Sequence, residues 1–248
     1  MGPVEKRICR EAKQNALCFV LIDSESLSNS KAAEMARKAG SAGAAAILVG
    51  GSSATDQIEL NEVVDSIKKA VRIPVILFPG NVTGISPKAD AILFSSLLNS
   101  ENPYFITEAQ ALGAVAVRKH NIEAIPMAYI IIGEGSSAWF VGRARGIPFD
   151  KPKLAVMYAL AAQYMGMRSL YLEAGSGASS HVKPEMVSVV RQNFNGLLIA
   201  GGGIRDVKTA REIAKAGADI IVIGTIFEKT NSDKLLRAII GAIRSIKR

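Results

Sequence analysis

The feature that most constrains the fold is a regular alternation of short apolar runs with amphipathic, helix-like segments along all 248 residues. The runs are nearly continuous in apolar residues, which is typical of parallel strands covered on both faces. There are eight of them, at residues 16–22, 44–50, 74–79, 90–95, 125–132, 168–174, 196–201 and 219–224. Because no break in composition interrupts the alternation, we predict one closed (β/α)8 barrel, a TIM barrel, over residues 1–248. An open, doubly wound sheet is the alternative.

Two segments depart from this alternation. Between the third and fourth runs, residues 79–89 (PGNVTGISPKA) contain too much Gly and Pro for a full helix, so we predict an irregular third crossover. After the fifth run, residues 133–148 (GEGSSAWFVGRARGIP) form an insertion before a helix that begins near Asp150. Its first six residues resemble a dinucleotide-binding motif. The next residues are WFVGR, which do not predict a helix, so we exclude that function.

Composition and charge narrow the class of protein. Charged residues make up 21% and apolar residues 49% of the chain, which is typical of a globular protein. The net charge of +8 favours anionic partners, but Lys and Arg are scattered and no nucleic-acid-binding motif occurs. No apolar run approaches the roughly 20 residues that span a bilayer, and the N-terminus lacks a signal peptide, so we expect a cytoplasmic protein. Two histidines are too few for the usual catalytic zinc site.

Glycine-rich segments follow the last two apolar runs. They read AGGGIR (200–205) and VIGT (222–225). The carboxyl ends of all strands meet at one face of a barrel, and glycine lets backbone N–H groups approach a ligand closely. We therefore predict that Gly202, Gly203, Gly224 and Thr225 bind a phosphate, with further donors from the first turn of the next helix. Alternatively, these glycines serve only tight turns.

Two strand ends carry acidic residues. Glu173 ends the sixth run within YLEAGSG (171–177), and is predicted to bind substrate hydroxyls or act as a general base. An ion pair across the barrel mouth is the alternative role for Glu173. Asp23 directly follows the first run and GGSS (50–53) ends the second, and this pairing of a carboxylate with a hydroxyl suits Mg²⁺. Asp23 could equally cap the next helix.

The last helical segment, DKLLRAIIGAIRSIKR (233–248), has an apolar stripe with basic residues on its other face. Packing against the barrel is one interpretation, and attachment to an anionic membrane surface is the other. The stripe consists of Leu235, Leu236, Ile239, Ile240, Ile243 and Ile246.

Together, YLEAGSGA, GGGIR, IGT, GGSS after the second run and YIIIGEGSSAWFVGRARGIP around the fifth resemble the geranylgeranylglyceryl phosphate synthases. These are TIM barrels that form the first ether bond of archaeal membrane lipids, and the resemblance covers essentially the whole chain. It implies transfer of a geranylgeranyl group from its diphosphate to the 3-hydroxyl of sn-glycerol 1-phosphate, with Mg²⁺ as cofactor.

The resemblance also implies a role for each matching residue. Asp23 and Ser52 correspond to the magnesium positions, and Glu173 to the residue on the glycerol hydroxyls. By the same resemblance, two segments would bind glycerol phosphate. The first consists of Tyr171, Leu172, Glu173, Ala174, Gly175, Ser176 and Gly177. The second, which would bind the phosphate through its backbone, consists of Gly202, Gly203, Gly224 and Thr225. Family members often have an Asp-Pro-Asp-Lys-like stretch after the first strand, whereas this chain has DSES (23–26) and lacks the lysine.

The family assembles as dimers or hexamers, so we expect a homo-oligomer. The insertion supplies Trp139, Phe140 and Val141 as predicted exposed interface residues. Three functional alternatives stay open: a related synthase with a longer prenyl donor such as heptaprenyl diphosphate, another phosphate-binding barrel enzyme, and a catalytically idle barrel. A Schiff-base aldolase is disfavoured because none of the eight runs contains a lysine.

Overall fold

In a computed structural model, eight parallel strands close into a barrel in sequence order, and the last strand is hydrogen-bonded to the first. The structure describes residues 1–25, 27–51, 56–176, 178, 180–224 and 233–248. The strands are β1 (Leu17–Asp23), β2 (Ala46–Gly50), β3 (Val75–Leu77), β4 (Ala91–Leu97), β5 (Glu123–Ile131), β6 (Ser169–Glu173), β7 (Leu197–Gly201) and β8 (Ile220–Ile223). The predicted (β/α)8 barrel is confirmed, and the open-sheet alternative is wrong.

Helices pack around the outside of this barrel, and a π-helix at Tyr104–Glu108 leads directly into one of them. The α-helices are α1 (Pro3–Ala12), α2 (Asn29–Ala42), α3 (Gln57–Ala70), α4 (Ala109–Lys119), α5 (Ser137–Val141), α6 (Pro152–Tyr164), α7 (Pro184–Arg191), α8 (Val207–Lys215) and α9 (Asp233–Arg244). Between β3 and β4 the chain forms turns and no helix, which confirms the irregular third crossover.

Helix α1 closes the amino end of the barrel. Its first turn has backbone N–H groups without helical partners, as every α-helix does. The Glu123 carboxylate at the start of β5 accepts two of them, from Val4 at 2.7 Å and Glu5 at 2.8 Å. Ile8 and Ala12 of α1 pack into the apolar interior of the barrel. The opposite, carboxyl end therefore remains as the open face.

The insertion after β5 is held against the carboxyl ends of β4 and β5. The buried Asn99 side chain donates to the carbonyl oxygens of Ile131 and Arg145, both at 2.9 Å, and accepts from the Ile131 N–H. The Ser136 hydroxyl accepts from the Trp139 N–H and thereby caps α5. The sequence predicted no helix after GEGSSA, and this prediction is wrong. The structure has the one-turn helix α5 there, which the Ser136 cap stabilises.

The aromatic residues of the insertion differ in exposure. Trp139 is only half-exposed because its ring packs against a small cluster that includes Leu97 and Ile131, so its predicted exposure is wrong. Phe140 is 75% exposed and Val141 is also exposed, as predicted.

The apolar stripe of α9 faces the barrel. Leu236, Ile239, Ile240 and Ile243 are buried in the main apolar cluster, and Leu235 and Ile246 pack at its edge. Core packing is confirmed, and the stripe is not available to a membrane surface. Among the described residues, no helix combines the length and apolar character needed to cross a bilayer.

Candidate functional site at the carboxyl end of the barrel

The carboxyl ends of β6 and β7 meet closely, and glycine makes this possible. Glu173 pairs with Gly201 in the register of the two strands, and the Ala174 N–H donates to the Gly201 carbonyl oxygen at 3.0 Å. A Cβ at position 201 would overlap the Tyr171 hydroxyl, and a Cβ at position 202 would overlap the Glu173 carboxylate. The structure therefore brings together the two predicted binding segments, YLEAGSG and GGG.

Glu173 is buried and has no cationic partner in the described part of the chain. The residue is 6% exposed, and its Oε1 accepts a hydrogen bond from the Gly175 N–H at 2.5 Å. The Tyr171 hydroxyl forms a second hydrogen bond to the Glu173 carboxylate. No salt bridge to Glu173 occurs within the described ranges, so the ion-pair alternative is wrong for them. Burial raises the pKa of Glu173, while the hydrogen bonds from Tyr171 and Gly175 partly offset this increase.

Three aromatic rings fill the barrel interior beneath Glu173. The Phe78 ring lies 5.3 Å from Tyr129 and 5.5 Å from Tyr171 between centroids, and the two tyrosine rings are 5.4 Å apart. Burial, followed by the nearby Glu173 charge, raises the pKa of both tyrosines well above the ordinary value. Both phenols therefore stay protonated, and Tyr171 acts as a hydrogen-bond donor to Glu173.

Neither Phe78 nor Tyr129 is among the site residues predicted from the sequence. The available signal is their position in the strand pattern. Alternate residues along a barrel strand face the interior, and Tyr129 is an aromatic residue at such a position in an otherwise mostly aliphatic run.

The loop after β7 presents unused backbone donors. Gly202 and Gly203 have φ angles of +81° and +69°, a region that favours glycine. Within the described part of the chain, neither N–H group donates a hydrogen bond. A Cβ at position 203 would overlap the Ser180 carbonyl, so this loop also packs directly on the loop after β6.

The first turn of α8 adds fewer donors than predicted. Asp206 at the N-cap accepts from the Thr209 N–H at 2.8 Å and also from the Lys208 N–H. These two groups are already satisfied, because an N-cap carboxylate binds the free donors of the first turn. At this strand end the Thr209 N–H is therefore already used by the N-cap, whereas the N–H groups of Gly202 and Gly203 donate to no described residue.

The other predicted acceptor-binding residues differ in placement. The side chains of Leu172 and Ala174 pack outward into the layer between barrel and helices, so only their main chain lies at the mouth. Gly175 has φ of +104° and Ser176 is exposed. Gly224 follows β8 directly, and a Cβ there would make only ordinary contacts with Leu21. Gly177 and Thr225 lie outside the described residues.

Asp23 stands at the carboxyl end of β1 beside a second acidic residue. Its Oδ1 accepts from the Glu25 N–H at 2.9 Å. A Cβ built on Gly51 would lie 2.5 Å from the Glu25 carboxylate and 3.3 Å from Asp23 Oδ1, so both carboxylates face the end of β2. Helix α2 begins at Asn29, after an N-cap at Ser28, so the helix-cap alternative for Asp23 is wrong. Ser52 lies outside the described residues.

An apolar cavity of about 140 Å³ lies next to the aromatic residues Phe78 and Tyr129. It begins at Phe78 and Tyr129 in the barrel mouth and continues between the third crossover, β4 and α4. A regular barrel would place a helix after β3, and the irregular crossover leaves this space open instead. Its wall is mainly apolar, with Leu97, Phe105 and Val141 among the lining side chains.

Comparison with known proteins identifies close relatives. The PcrB family model matches residues 10–243. The chain is 65% identical to geranylgeranylglyceryl phosphate synthase of Nitrosopumilus maritimus over 235 residues, covering 95% of this chain and 94% of the relative. It is 61% identical to the synthase of the same name from Cenarchaeum symbiosum, over 98% and 99% of the two chains.

A solved structure agrees with this result. The crystal structure of (S)-3-O-geranylgeranylglyceryl phosphate synthase from Thermoplasma acidophilum, in complex with its substrate sn-glycerol-1-phosphate, is 40% identical. The match has a TM-score of 0.96 and covers 99% of this chain and all of that one.

Proposed function

Because the chain belongs to the PcrB family and to its geranylgeranylglyceryl phosphate synthases, we propose that it transfers a geranylgeranyl group to the 3-hydroxyl of sn-glycerol 1-phosphate. The observation that carries this proposal is the arrangement around Glu173. Among the described residues, a buried carboxylate without a cationic partner lies against the N–H groups of Gly202 and Gly203, which donate no hydrogen bond. This combination suits an acceptor with a phosphate at one end and a hydroxyl to be activated at the other.

The acceptor is bound between the loops after β6, β7 and β8. The N–H groups of Gly202 and Gly203, together with Gly224 and Thr225, bind its phosphate. The segment from Tyr171 to Gly177 surrounds the glycerol, with Glu173 on its hydroxyls. Main-chain donors at fixed positions hold the phosphate and so fix the position of the attacking hydroxyl.

The reaction forms one bond and breaks one. The 3-hydroxyl oxygen bonds to the first carbon of the prenyl chain, and the allylic C–O bond to diphosphate breaks with its electron pair going to the diphosphate. Glu173 Oε2 or Oε1 accepts the hydroxyl proton. The raised pKa of Glu173 makes it a better base than an exposed glutamate, and Tyr171 keeps the carboxylate oriented.

The residues around Asp23 fit a magnesium ion. Asp23 and Ser52 would hold it, with the neighbouring Glu25 carboxylate adding negative charge beside Gly51. These are the hard oxygen donors that Mg²⁺ prefers. Water and diphosphate oxygens would occupy most of the remaining coordination positions of the ion. When bound, the ion supplies charge neutralisation for the diphosphate leaving group. We expect Asp23→Asn to weaken the dependence on Mg²⁺ while leaving sn-glycerol 1-phosphate affinity unchanged.

The apolar cavity is the proposed site of the prenyl chain. It opens at Phe78 and Tyr129, next to Tyr171 and Glu173, so a donor lying in it has its reactive end at the acceptor site. Its mainly apolar wall suits a hydrocarbon chain. The alternative, a longer donor such as heptaprenyl diphosphate, uses the same cavity. Comparing kcat/KM for the two donors distinguishes them, and we expect geranylgeranyl diphosphate to be preferred.

Stereochemistry gives the sharpest test of the proposed function. Incubation with geranylgeranyl diphosphate, Mg²⁺ and sn-glycerol 1-phosphate should yield a prenyl ether and diphosphate, detected by mass spectrometry. The enantiomer sn-glycerol 3-phosphate is the matched control and should give far less product. The phosphate-binding groups and Glu173 place the reacting hydroxyl correctly for only one enantiomer. Equal turnover of both enantiomers, or of neither, would contradict the proposal.

Self-association is proposed from the exposed apolar side chains. Phe140 is 75% exposed on α5, and Met157, Tyr164 and Met165 are exposed along the outer face of α6. Such aromatic and methionine side chains are enriched in interfaces. We expect at least a dimer by analytical ultracentrifugation at micromolar concentration. A monomer throughout that range would contradict this expectation.

A further inference from the structure

The apolar cavity descends along α4. The helix contributes Ala109, Gly113 and Val117 to the cavity wall, each four residues from the last. Residues at this spacing lie on one face, and each step of four moves about 6 Å along the helix axis. Since Ala109 follows the π-helix at the carboxyl end of the barrel, Gly113 lies about 6 Å and Val117 about 12 Å below that end. The cavity is thus a channel whose deeper half begins near Gly113.

Gly113 is an unusual residue for this position. It lies inside α4, and its φ is not among the positive values, so the backbone does not require glycine. Glycine in a helix interior lowers helix stability relative to alanine. Gly113 is also buried, whereas most residues of α4 are exposed. A missing side chain at this point therefore needs a reason in the surroundings of the helix.

The neighbouring residue in the channel wall, Ile85, supplies that reason. A Cβ at position 113 would lie 3.1 Å from Ile85 Cδ1, which is closer than ordinary van der Waals contact. Ile85 belongs to the third crossover and is itself buried against the channel. Its carbonyl accepts a hydrogen bond from Gln57 of α3 at 3.0 Å, which holds the main chain at this point. Because the Ile85 side chain packs directly on Gly113, a larger side chain at position 113 would push Ile85 into the channel.

We propose that Gly113 is a specificity-determining residue, which together with Ile85 sets the length of prenyl chain that the channel accepts. This inference rests on the proposed function, because it assigns the channel to the prenyl donor. The absent side chain keeps the deeper half open to the distal end of the donor. The reacting end, at Tyr129 and Glu173, is not affected by this restriction.

The test uses a set of donors that differ only in length. We measure kcat/KM for geranyl, farnesyl, geranylgeranyl and farnesylgeranyl diphosphate with Gly113→Val. The added side chain should lower the value for geranylgeranyl diphosphate by about 10- to 100-fold, and the value for geranyl diphosphate by less than about threefold. The KM for sn-glycerol 1-phosphate should not change, because its binding loops lie at the barrel mouth.

A matched control separates this effect from damage to the helix. Ala114→Val places a valine at the next residue of α4, which is exposed, and should leave the donor profile as in the unaltered protein. Ile85→Ala removes the neighbouring side chain and should shift the profile toward farnesylgeranyl diphosphate. Adding Ile85→Ala to Gly113→Val should recover part of the lost geranylgeranyl activity.

Each outcome decides the inference. If Gly113→Val lowers all four donors equally, or keeps the profile of the Ala114→Val control, Gly113 does not determine length. If Gly113→Val does not fold, as judged by its melting temperature, Ile85→Ala alone decides, and an unchanged donor profile overturns the inference. Failure of the unaltered protein to make a prenyl ether from any donor would instead contradict the proposed function.

Discussion

Two glutamates are buried at opposite ends of the barrel, and among the described residues one of them, Glu5, has a cationic partner whereas Glu173 has none. Glu5 in α1 is 1% exposed and binds the Arg168 guanidinium through two hydrogen bonds, of 2.7 and 2.8 Å. Glu173 at the carboxyl end is 6% exposed, and its partners among the described residues are neutral groups, the Tyr171 hydroxyl and the Gly175 N–H. The two carboxylates are similarly buried, but their electrostatic surroundings are opposite.

The difference indicates different roles for the two ends. A buried charge is costly unless it is paired, so Glu5 with Arg168 is an arrangement that holds α1 beneath the barrel. For Glu173, hydrogen bonds offset only part of the free energy that burying its charge costs, and its pKa is therefore raised. Groups with perturbed pKa values in a cleft are frequent at functional sites. We therefore expect the amino end to serve stability and the carboxyl end to serve the reaction.

The largest expected effect is on the rate of Glu173→Gln. The amide keeps the shape, and its oxygen can still accept from the Gly175 N–H, but it has no negative charge and is not a base. Loss of a positioned base lowers rates by about 10²–10⁴-fold. We therefore expect kcat to fall by that factor while the melting temperature stays the same or rises. A destabilised variant with undiminished kcat would assign Glu173 the role that Glu5 has.

Removal of the Arg168 cation at the amino end should lower stability and leave the rate unchanged, the reverse of the effect expected for Glu173→Gln. Arg168→Leu leaves Glu5 buried without a partner, which costs about 3 kcal/mol of unfolding free energy, at the lower end of the usual range because Arg168 is 37% exposed. Below the melting temperature, kcat should be unchanged. Arg7→Ala, which breaks the surface pair between Arg7 and Glu11, is the control and should cost at most about 0.5 kcal/mol in chemical denaturation. Equal losses in the two variants would contradict the buried-pair account.

A smaller effect is expected from Tyr171→Phe. This change removes one hydrogen bond to the Glu173 carboxylate and keeps the ring that stacks on Phe78. Loss of this hydrogen bond, which orients the base and is worth on the order of 1 kcal/mol, should reduce kcat by about tenfold. Tyr158→Phe removes a phenol on α6, outside the barrel, and should leave kcat unaltered. Equal rates for both variants would show that Tyr171 does not act on Glu173.

The sequence predicted the carboxyl end of the barrel better than the amino end. Glu173 and the GGG segment could be found because strand ends in a barrel all point to one face, which converts local sequence into spatial proximity. The pair of Glu5 and Arg168 joins residues 163 positions apart, and it forms only because α1 folds beneath the barrel. No local pattern around Glu5 indicates that contact.

Tertiary packing also decided details at the site itself. Trp139 looked like an exposed residue of an insertion, but its ring packs on Leu97 and Ile131. The Asn99 side chain, which holds the insertion in place, lies in a loop without any motif. The roles of Ser52, Gly177 and Thr225 stay predictions, since these residues lie outside the described part of the chain.

The pH dependence of kcat/KM for sn-glycerol 1-phosphate tests the central claim most directly. Glu173 must be ionised to accept a proton, and burial raises its pKa, so activity should fall as pH decreases through a value above the ordinary 4.5 of glutamate. The acceptor phosphate titrates identically in any variant, so the difference between the unaltered protein and Glu173→Gln isolates this group. We predict that the acidic limb due to Glu173 is absent from the residual activity of Glu173→Gln. The same acidic limb in both proteins would show that another group is the base.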